Sequence, residues 1–198
     1  MSNQTALVAV VIAGGQSRRM GRDKAGVALG AQPMLAHVVE RLSPQVARVA
    51  VNAPVAVENV ETIRSEHALG PLSGVLAAMR WAEALGEARV LTTPVDVPFF
   101  PADMAARLAA CDAPVVMAES ASGLHPVSAV WQVSQAEALA QFLAAGERKL
   151  RVFAAQIGGE RVRFDGDPDP FFNVNTPEEL ASAQKRLKKT PPSPGPAA

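Results

Sequence analysis

The chain has 198 residues, 48% of them hydrophobic and 19% charged, with 19 basic and 19 acidic side chains and a formal net charge of zero. That mix suits one self-sufficient globular domain, and the even charge argues against a dedicated nucleic-acid binder, whose domain carries a basic excess. The single cysteine, Cys111, excludes an intramolecular disulfide; with no basic leader in residues 1–5 and no run long enough to span a bilayer, the expectation is a soluble, cytoplasmic protein with neither membrane nor nucleic acid as partner.

Residues 7–12 (LVAVVI) form a short apolar run rich in valine, which predicts a strand buried on both faces. Residues 33–42 read as a helix, with Leu35, Val38, Val39 and Leu42 on one side. A second strand is predicted over 46–51, closed by Asn52, and a weaker one over 60–64. Residues 72–85 predict a helix lined by Leu72, Val75, Leu76 and Met79 and ended by Gly86. A third buried strand over 89–93 runs on to Asp96. Then come a helix over 102–110, strands beginning at 114–117 and over 127–131, a helix over 135–145 stopped by Gly146, and a short strand over 162–164. The last helix has Thr176 as its N-cap, Pro177 as its first residue and Glu179 as reciprocal capping partner. Lys185, Arg186, Lys188 and Lys189 lie toward its C-terminal end, where the macrodipole favours cations. The domain is expected over residues 1–189, with 190–198, rich in Pro, Ser, Gly and Ala, as a disordered tail.

Strands alternating with helices predict the α/β class: a three-layer, Rossmann-like, mostly parallel sheet with helices on both faces. Right-handed crossovers put the loops after the strands on one edge, where ligands of such sheets bind. Gly14, Gly15, Asn52 and Asp96 follow three separate strands and are expected together there.

Residues 12–24 read IAGGQSRRMGRDK. A polyphosphate needs close donors as well as cations. Glycines let backbone N–H groups approach without an intervening Cβ, and Arg18, Arg19, Arg22 and Lys24 balance the charge, lysine as a point and arginine as a planar fork. The loop is not a Walker A motif, since Gly21 is followed by Arg22, and G-x-G-x-x-G is absent. The alternative is a plain basic surface turn. Asp96, in VLTTPVDVPF, suits a magnesium site built from one or two carboxylates, waters and substrate phosphate; the competing use of an aspartate beside proline is a turn or cap.

The IAGGQSRRMGRDK segment resembles the signature of nucleotide-sugar and molybdopterin nucleotidyltransferases, roughly LAGGxSxRMGxDK. Further elements narrow the likeness to the molybdenum cofactor guanylyltransferases of the MobA family: Gly70-Pro71-Leu72-Ser73-Gly74, Asn52 in VAVNA, Leu124-His125-Pro126, Gly146-Glu147-Arg148-Lys149, and Phe172-Asn173-Val174-Asn175-Thr176-Pro177-Glu178-Glu179. The match runs from Val8 to Arg186. The resemblance implies the nucleotide-diphospho-sugar transferase fold and GMP transfer from GTP to the terminal phosphate of molybdopterin. In that family the loop wraps the nucleotide phosphates, Lys24 contacts them, and Asp96 binds Mg²⁺. Ile12, Ala13, Gly14, Gly15, Asn52, Ser65 and Gly74 would then line the nucleotide, with Arg18 and Arg19 catalytic beside Lys24 and Asp96. Asn173 and Asn175 stand as pterin-side or magnesium-side candidates, since their amides both donate and accept.

Each element also has a purely structural use. Gly70-Pro71 makes a turn, Asn52 caps a loop, His125 packs in a core, Arg148 and Lys149 sit on a solvated face, and Asn175-Thr176 start a helix. The chain also departs from the family in having Ser65, next to Glu66, where relatives carry an aspartate that meets the guanine or ribose. The alternatives are a cytidylyltransferase on the same scaffold and a non-catalytic cofactor carrier; the partners implied are GTP, molybdopterin, other cofactor-biosynthesis proteins and apo-molybdoenzymes.

Overall fold

The computed structural model of the chain describes residues 7–14, 26–66 and 70–189. Gly15, Arg18, Arg19, Arg22 and Lys24 of the glycine loop, and the tail 190–198, lie outside the described residues.

The elements in chain order are β1 (Val8–Ile12), β2 (Ala28–Leu29), β3 (Gln32–Pro33), α1 (Met34–Leu42), β4 (Arg48–Asn52), β5 (Glu61–Ile63), α2 (Pro71–Ala84), β6 (Arg89–Pro94), α3 (Met104–Ala109), β7 (Val115–Ser120), β8 (Gly123–Gln132), α4 (Ala136–Ala144), α5 (Leu150–Gln156), β9 (Glu160–Arg163) and α6 (Pro177–Lys189). Strands β2 and β3 form a small hairpin; the others form one seven-stranded sheet in the order β5-β4-β1-β6-β8-β7-β9. All its pairings are parallel except those of β8, which runs against β6 and β7. The reversed strand is therefore internal, not at an edge. The α/β, mostly parallel sheet expected from the sequence is what forms.

The period of two along each strand explains the three layers. In β1, Val8, Val10 and Ile12 point into a core shared with α2, α4 and α5. Ala9 and Val11 point the other way, into a core shared with α1 and α3. Leu35, Val38 and Leu42, three and four residues apart, put the apolar stripe of α1 against that second face. Each such fully buried aliphatic side chain contributes roughly 1.5–3 kcal/mol. A third, smaller cluster joins Leu29 of the hairpin, Met34, Phe99, Val174 and Ala183 of α6.

Three of these elements were not predicted, the hairpin strands β2 and β3 and the helix α5. The hairpin strands are two residues each, below the length at which alternation can be read. Helix α5 has seven residues, too few for a helical period to stand out. It forms because Leu150, Phe153 and Ala154, at spacing three and four, complete the core beside Trp131, whose ring centroid lies 6.4 Å from that of Phe153.

Candidate active site

From β1 the parallel strands step outward through β4 to β5, while β6 lies on the opposite side of β1. The winding direction thus reverses between β1 and β6, and the carboxyl ends of strands at such a reversal are where sheets of this kind bind their ligands. The glycine loop leaves β1 there, and Asp96 follows β6. The Ala13 N–H donates to the Asn52 carbonyl at 3.0 Å, and the Val95 N–H donates to the Ile12 carbonyl at 3.2 Å. The chain entering the loop is clamped to both neighbouring strands, so Ile12, Ala13, Gly14, Asn52 and Asp96 share one edge.

Asn52 is only 3% exposed. Its Oδ1 accepts from the Ser65 hydroxyl at 3.2 Å, and its Nδ2 donates to the Ile63 carbonyl at 3.4 Å. Two glycines make room for it. A Cβ on Gly14 would lie 3.4 Å from Asn52 Oδ1; one on Gly74 would lie 2.9 Å from that atom and 3.0 Å from Ile12 Cγ2. The amide therefore fills the space between the end of β1 and the first turn of α2. This gives Gly74 a reason the sequence did not disclose: it is small because Asn52 is there. Gly70 precedes the helix at φ 79°, in the left-handed region that glycine adopts without strain, and its carbonyl accepts from the Ser73 hydroxyl at 2.8 Å. The positive end of the α2 dipole consequently faces the same edge. Ser65 meets Asn52, and Glu66 pairs with Arg80 at 2.6 Å.

Asp96 is half-buried. Its carbonyl accepts from the Val174 N–H at 2.9 Å, which brings the segment bearing Asn173 and Asn175 beside it. Asn173 is exposed and Asn175 half-buried. The predicted capping box forms: Glu179 Oε2 accepts from the Thr176 N–H at 2.9 Å and the Asn175 N–H at 2.6 Å, while Thr176 Oγ1 accepts from the Glu179 N–H at 3.2 Å. Arg148 donates to the Leu143 and Glu147 carbonyls at 2.9 and 2.6 Å. The first of these bonds gives a carbonyl in the last turn of α4 a side-chain partner.

Among the described residues no group of three or more His, Cys, Asp or Glu side chains is placed to hold a metal. A magnesium ion takes one or two carboxylates and completes its shell from water and substrate phosphate, and the Asp96 carboxylate at this edge fits that recipe.

A polar cluster that sequence reasoning missed lies farther along the edge. The Ser120 hydroxyl, at the end of β7, donates to Asp169 Oδ2 at 2.9 Å and lies 2.8 Å from His125 Nε2. Asp169 also accepts from the backbone N–H of Ser122 at 3.0 Å and of Phe171 at 2.8 Å. Burial alone would push this carboxyl up, and the hydrogen bonds from Ser122, Phe171 and Ser120 together bring it below the usual value. Burial pushes the His125 imidazole down, against the pull of Asp169. His125 was legible as part of a motif, but Asp169, 49 residues from Ser120, left no local signal.

Residues 9–162 match the MobA-like NTP transferase domain. A molybdenum cofactor guanylyltransferase from Cereibacter sphaeroides is 44% identical over 190 residues, covering 92% of this chain and 98% of the relative. One from Rhizobium leguminosarum bv. trifolii is 45% identical over 195 residues, covering 92% and 93%. Among solved structures, molybdopterin-guanine dinucleotide biosynthesis protein A from Archaeoglobus fulgidus superimposes with a TM-score of 0.79 at 22% identity, covering 93% of this chain and all of that one.

Proposed function

The chain belongs to the MobA-like NTP transferase family, and from that premise we propose that it transfers GMP from GTP to the terminal phosphate of molybdopterin, with or without its molybdenum. The observation that carries this reading is the meeting at the switch point of the exit from β1, Asp96 after β6, and the Asn173–Asn175 segment tied to Asp96 through Val174. Such an edge serves transfer between a nucleotide and a second anionic substrate.

The attacking oxygen of the acceptor phosphate is already anionic at neutral pH, so the reaction needs no general base. It forms a bond to the α-phosphorus of GTP as the bond to the bridging oxygen breaks, and pyrophosphate carries away the electron pair. Catalysis then rests on alignment and on charge. Backbone donors after β1 approach the phosphates, and Lys24, with Arg18 and Arg19, stabilises the leaving pyrophosphate. Asp96 would hold Mg²⁺, whose chemistry there would be to neutralise phosphate charge. Ile12, Ala13, Gly14, Gly15, Asn52, Ser65 and Gly74 wall the nucleoside, while Asn173 and Asn175 offer amides to the pterin edge. The product would pass, in a reducing cytoplasm, to apo-molybdoenzymes or other cofactor-biosynthesis proteins.

One observation favours a second reading, cytidylyl transfer. The Ser65 hydroxyl is given to Asn52 and the Glu66 carboxylate to Arg80, so the acid that would meet two guanine donors is not replaced in kind. The deciding experiment follows pyrophosphate release from GTP, CTP and ATP with Mg²⁺ and molybdopterin. Turnover with GTP alone is expected. Faster turnover with CTP would move the chain to the cytidylyl branch, and none with any of the three would overturn the transfer reading.

A further inference from the structure

Between Met117↔Ala129 and Ala118↔His125 the pairing of β7 with β8 jumps, so residues 126–128 are extra on β8. The bulge interrupts the sheet on the site side: the β6–β8 ladder ends at Thr92↔Ala129, and the start of β8 pairs with β7 alone. What joins the two parts at this edge is the segment between β9 and α6. It is fastened first by the Phe164 N–H to the Glu119 carbonyl at 2.7 Å. It is fastened next by Asp169 to Ser120 and the Ser122 N–H, and then by Phe171, whose ring stacks on His125 at 4.7 Å and 18°. Arg186 of α6 donates to the Asp169 carbonyl at 2.7 Å. The last fastening is Val174 on Asp96. Asn173 lies between the last two anchors and Asn175 just beyond them.

The order of the polar groups fixes their role. A hydroxyl has one proton, and Ser120 gives its proton to Asp169; Nε2 of His125 then carries a proton and donates to Ser120 Oγ. The sequence of contacts is Asp–Ser–His. In a nucleophilic triad the histidine stands between the other two and takes the serine proton; here the serine is held as a structural bridge.

We infer that Ser120, His125 and Asp169 form a positioning network that sets residues 169–175 as a strap against Asp96, and so governs acceptor binding while leaving the nucleotide side untouched. The inference rests on the reading that Asn173 and Asn175 meet the acceptor. Ser120→Ala removes the bonds to Asp169 and His125, together with the hydroxyl's contacts to the Ser122 hydroxyl at 3.0 Å and the Ser122 N–H at 3.3 Å. His125→Phe keeps a ring against Phe171 and removes only the bond to Ser120. The KM for molybdopterin should rise about tenfold in Ser120→Ala, the scale of one hydrogen bond to a charged group, and less in His125→Phe, which loses a neutral one, with the dissociation constant for GTP within twofold of the parent in both. Ser120→Thr, which restores a hydroxyl, should recover most of the loss. Hydrogen exchange should quicken in the peptide covering 169–175 in Ser120→Ala. An unchanged acceptor KM, or an equal loss of GTP affinity, would overturn the inference. If the parent protein transfers no GMP at all, the functional reading fails by itself, and exchange then decides the positioning role: quickening confined to 169–175 upholds it, and unchanged exchange sinks it.

Discussion

The two parts of the sheet edge solve different problems. On the β4–β1–β6 side the ladders are regular and parallel, and the site is shaped by what is missing: Gly14 and Gly74 have no Cβ, so Asn52 can fill the gap between strand and helix. On the β8–β7 side the ladder is broken by a bulge, one strand is reversed, and position is held by side chains far apart in sequence. The first arrangement suits a ligand that every enzyme of this kind shares, a nucleoside triphosphate read through backbone and charge. The second suits an acceptor that differs from enzyme to enzyme, since a bulged hairpin and a crossing strap are re-aimed without disturbing the parallel core.

If that division is right, damage on each side should have its own kinetic signature. The largest effect is expected at Asp96, where the two parts meet. Asp96→Asn keeps the side chain's size and removes its charge. It should lower kcat by about 10²–10³, the scale of losing one preorganised electrostatic contact, with the thermal midpoint close to that of the parent by circular dichroism. Full turnover at saturating Mg²⁺ would take the metal away from Asp96.

Next in size is Gly74→Ala. Alanine is the better helix former by about 1 kcal/mol, but its Cβ would meet Asn52 Oδ1 at 2.9 Å and Ile12 Cγ2 at 3.0 Å. Overpacking of about 1–3 kcal/mol then outweighs the propensity gain, and the displaced amide should weaken GTP binding in calorimetry while the acceptor KM holds. Combining it with Asn52→Ala should return part of the stability, because the clash has lost its partner. Simple additivity would show that the glycine is not there for the asparagine.

These same residues show what could be read from the sequence. The β1 run, its glycine exit and Asp96 were legible because each is a local pattern: a buried strand, a break, an acid between prolines. So was the capping box, whose four residues are contiguous. The spacer role of Asn52 was not, since it depends on three segments converging. Nor was the strap, which depends on Ser120 and Asp169 meeting although β8, α4, α5 and β9 lie between them in the chain. The reversed strand was read as a strand, but no single-strand pattern states its partner or direction.

A smaller effect separates the bulge from the strap. The Thr92 hydroxyl, fully buried, donates to the Val127 carbonyl at 2.7 Å and accepts from the Trp131 indole N–H at 3.0 Å. Thr92→Val keeps the shape and strands both partners, one of them in the bulge. The cost should be about 1–3 kcal/mol, seen as a lower urea midpoint with an unchanged slope. Any kinetic change should fall on the acceptor and spare GTP. Loss of GTP affinity instead would mean that the two parts are mechanically one.

The smallest effect is a pH dependence, and it isolates the strap. His125 faces Ser120, Asp169 and the ring of Phe171, with Arg186 and Arg163 felt beyond through Asp169. Burial, the larger influence, lowers its pKa from the ordinary 6.5, and Asp169 only partly offsets this. Folding therefore favours the neutral ring. The associated stability is fully present above 6.5 and is lost as pH falls from there through the lowered value. Asp169 is also lowered, from 3.8, so its contribution is lost only in stronger acid. Between pH 7.5 and 5 the two do not overlap. The thermal midpoint should fall with acid across that window in the parent and fall less in His125→Phe. Hydrogen exchange at 169–175 should quicken over the same range in the parent alone. Parallel midpoint curves for the two proteins would show that the imidazole is not what the strap leans on.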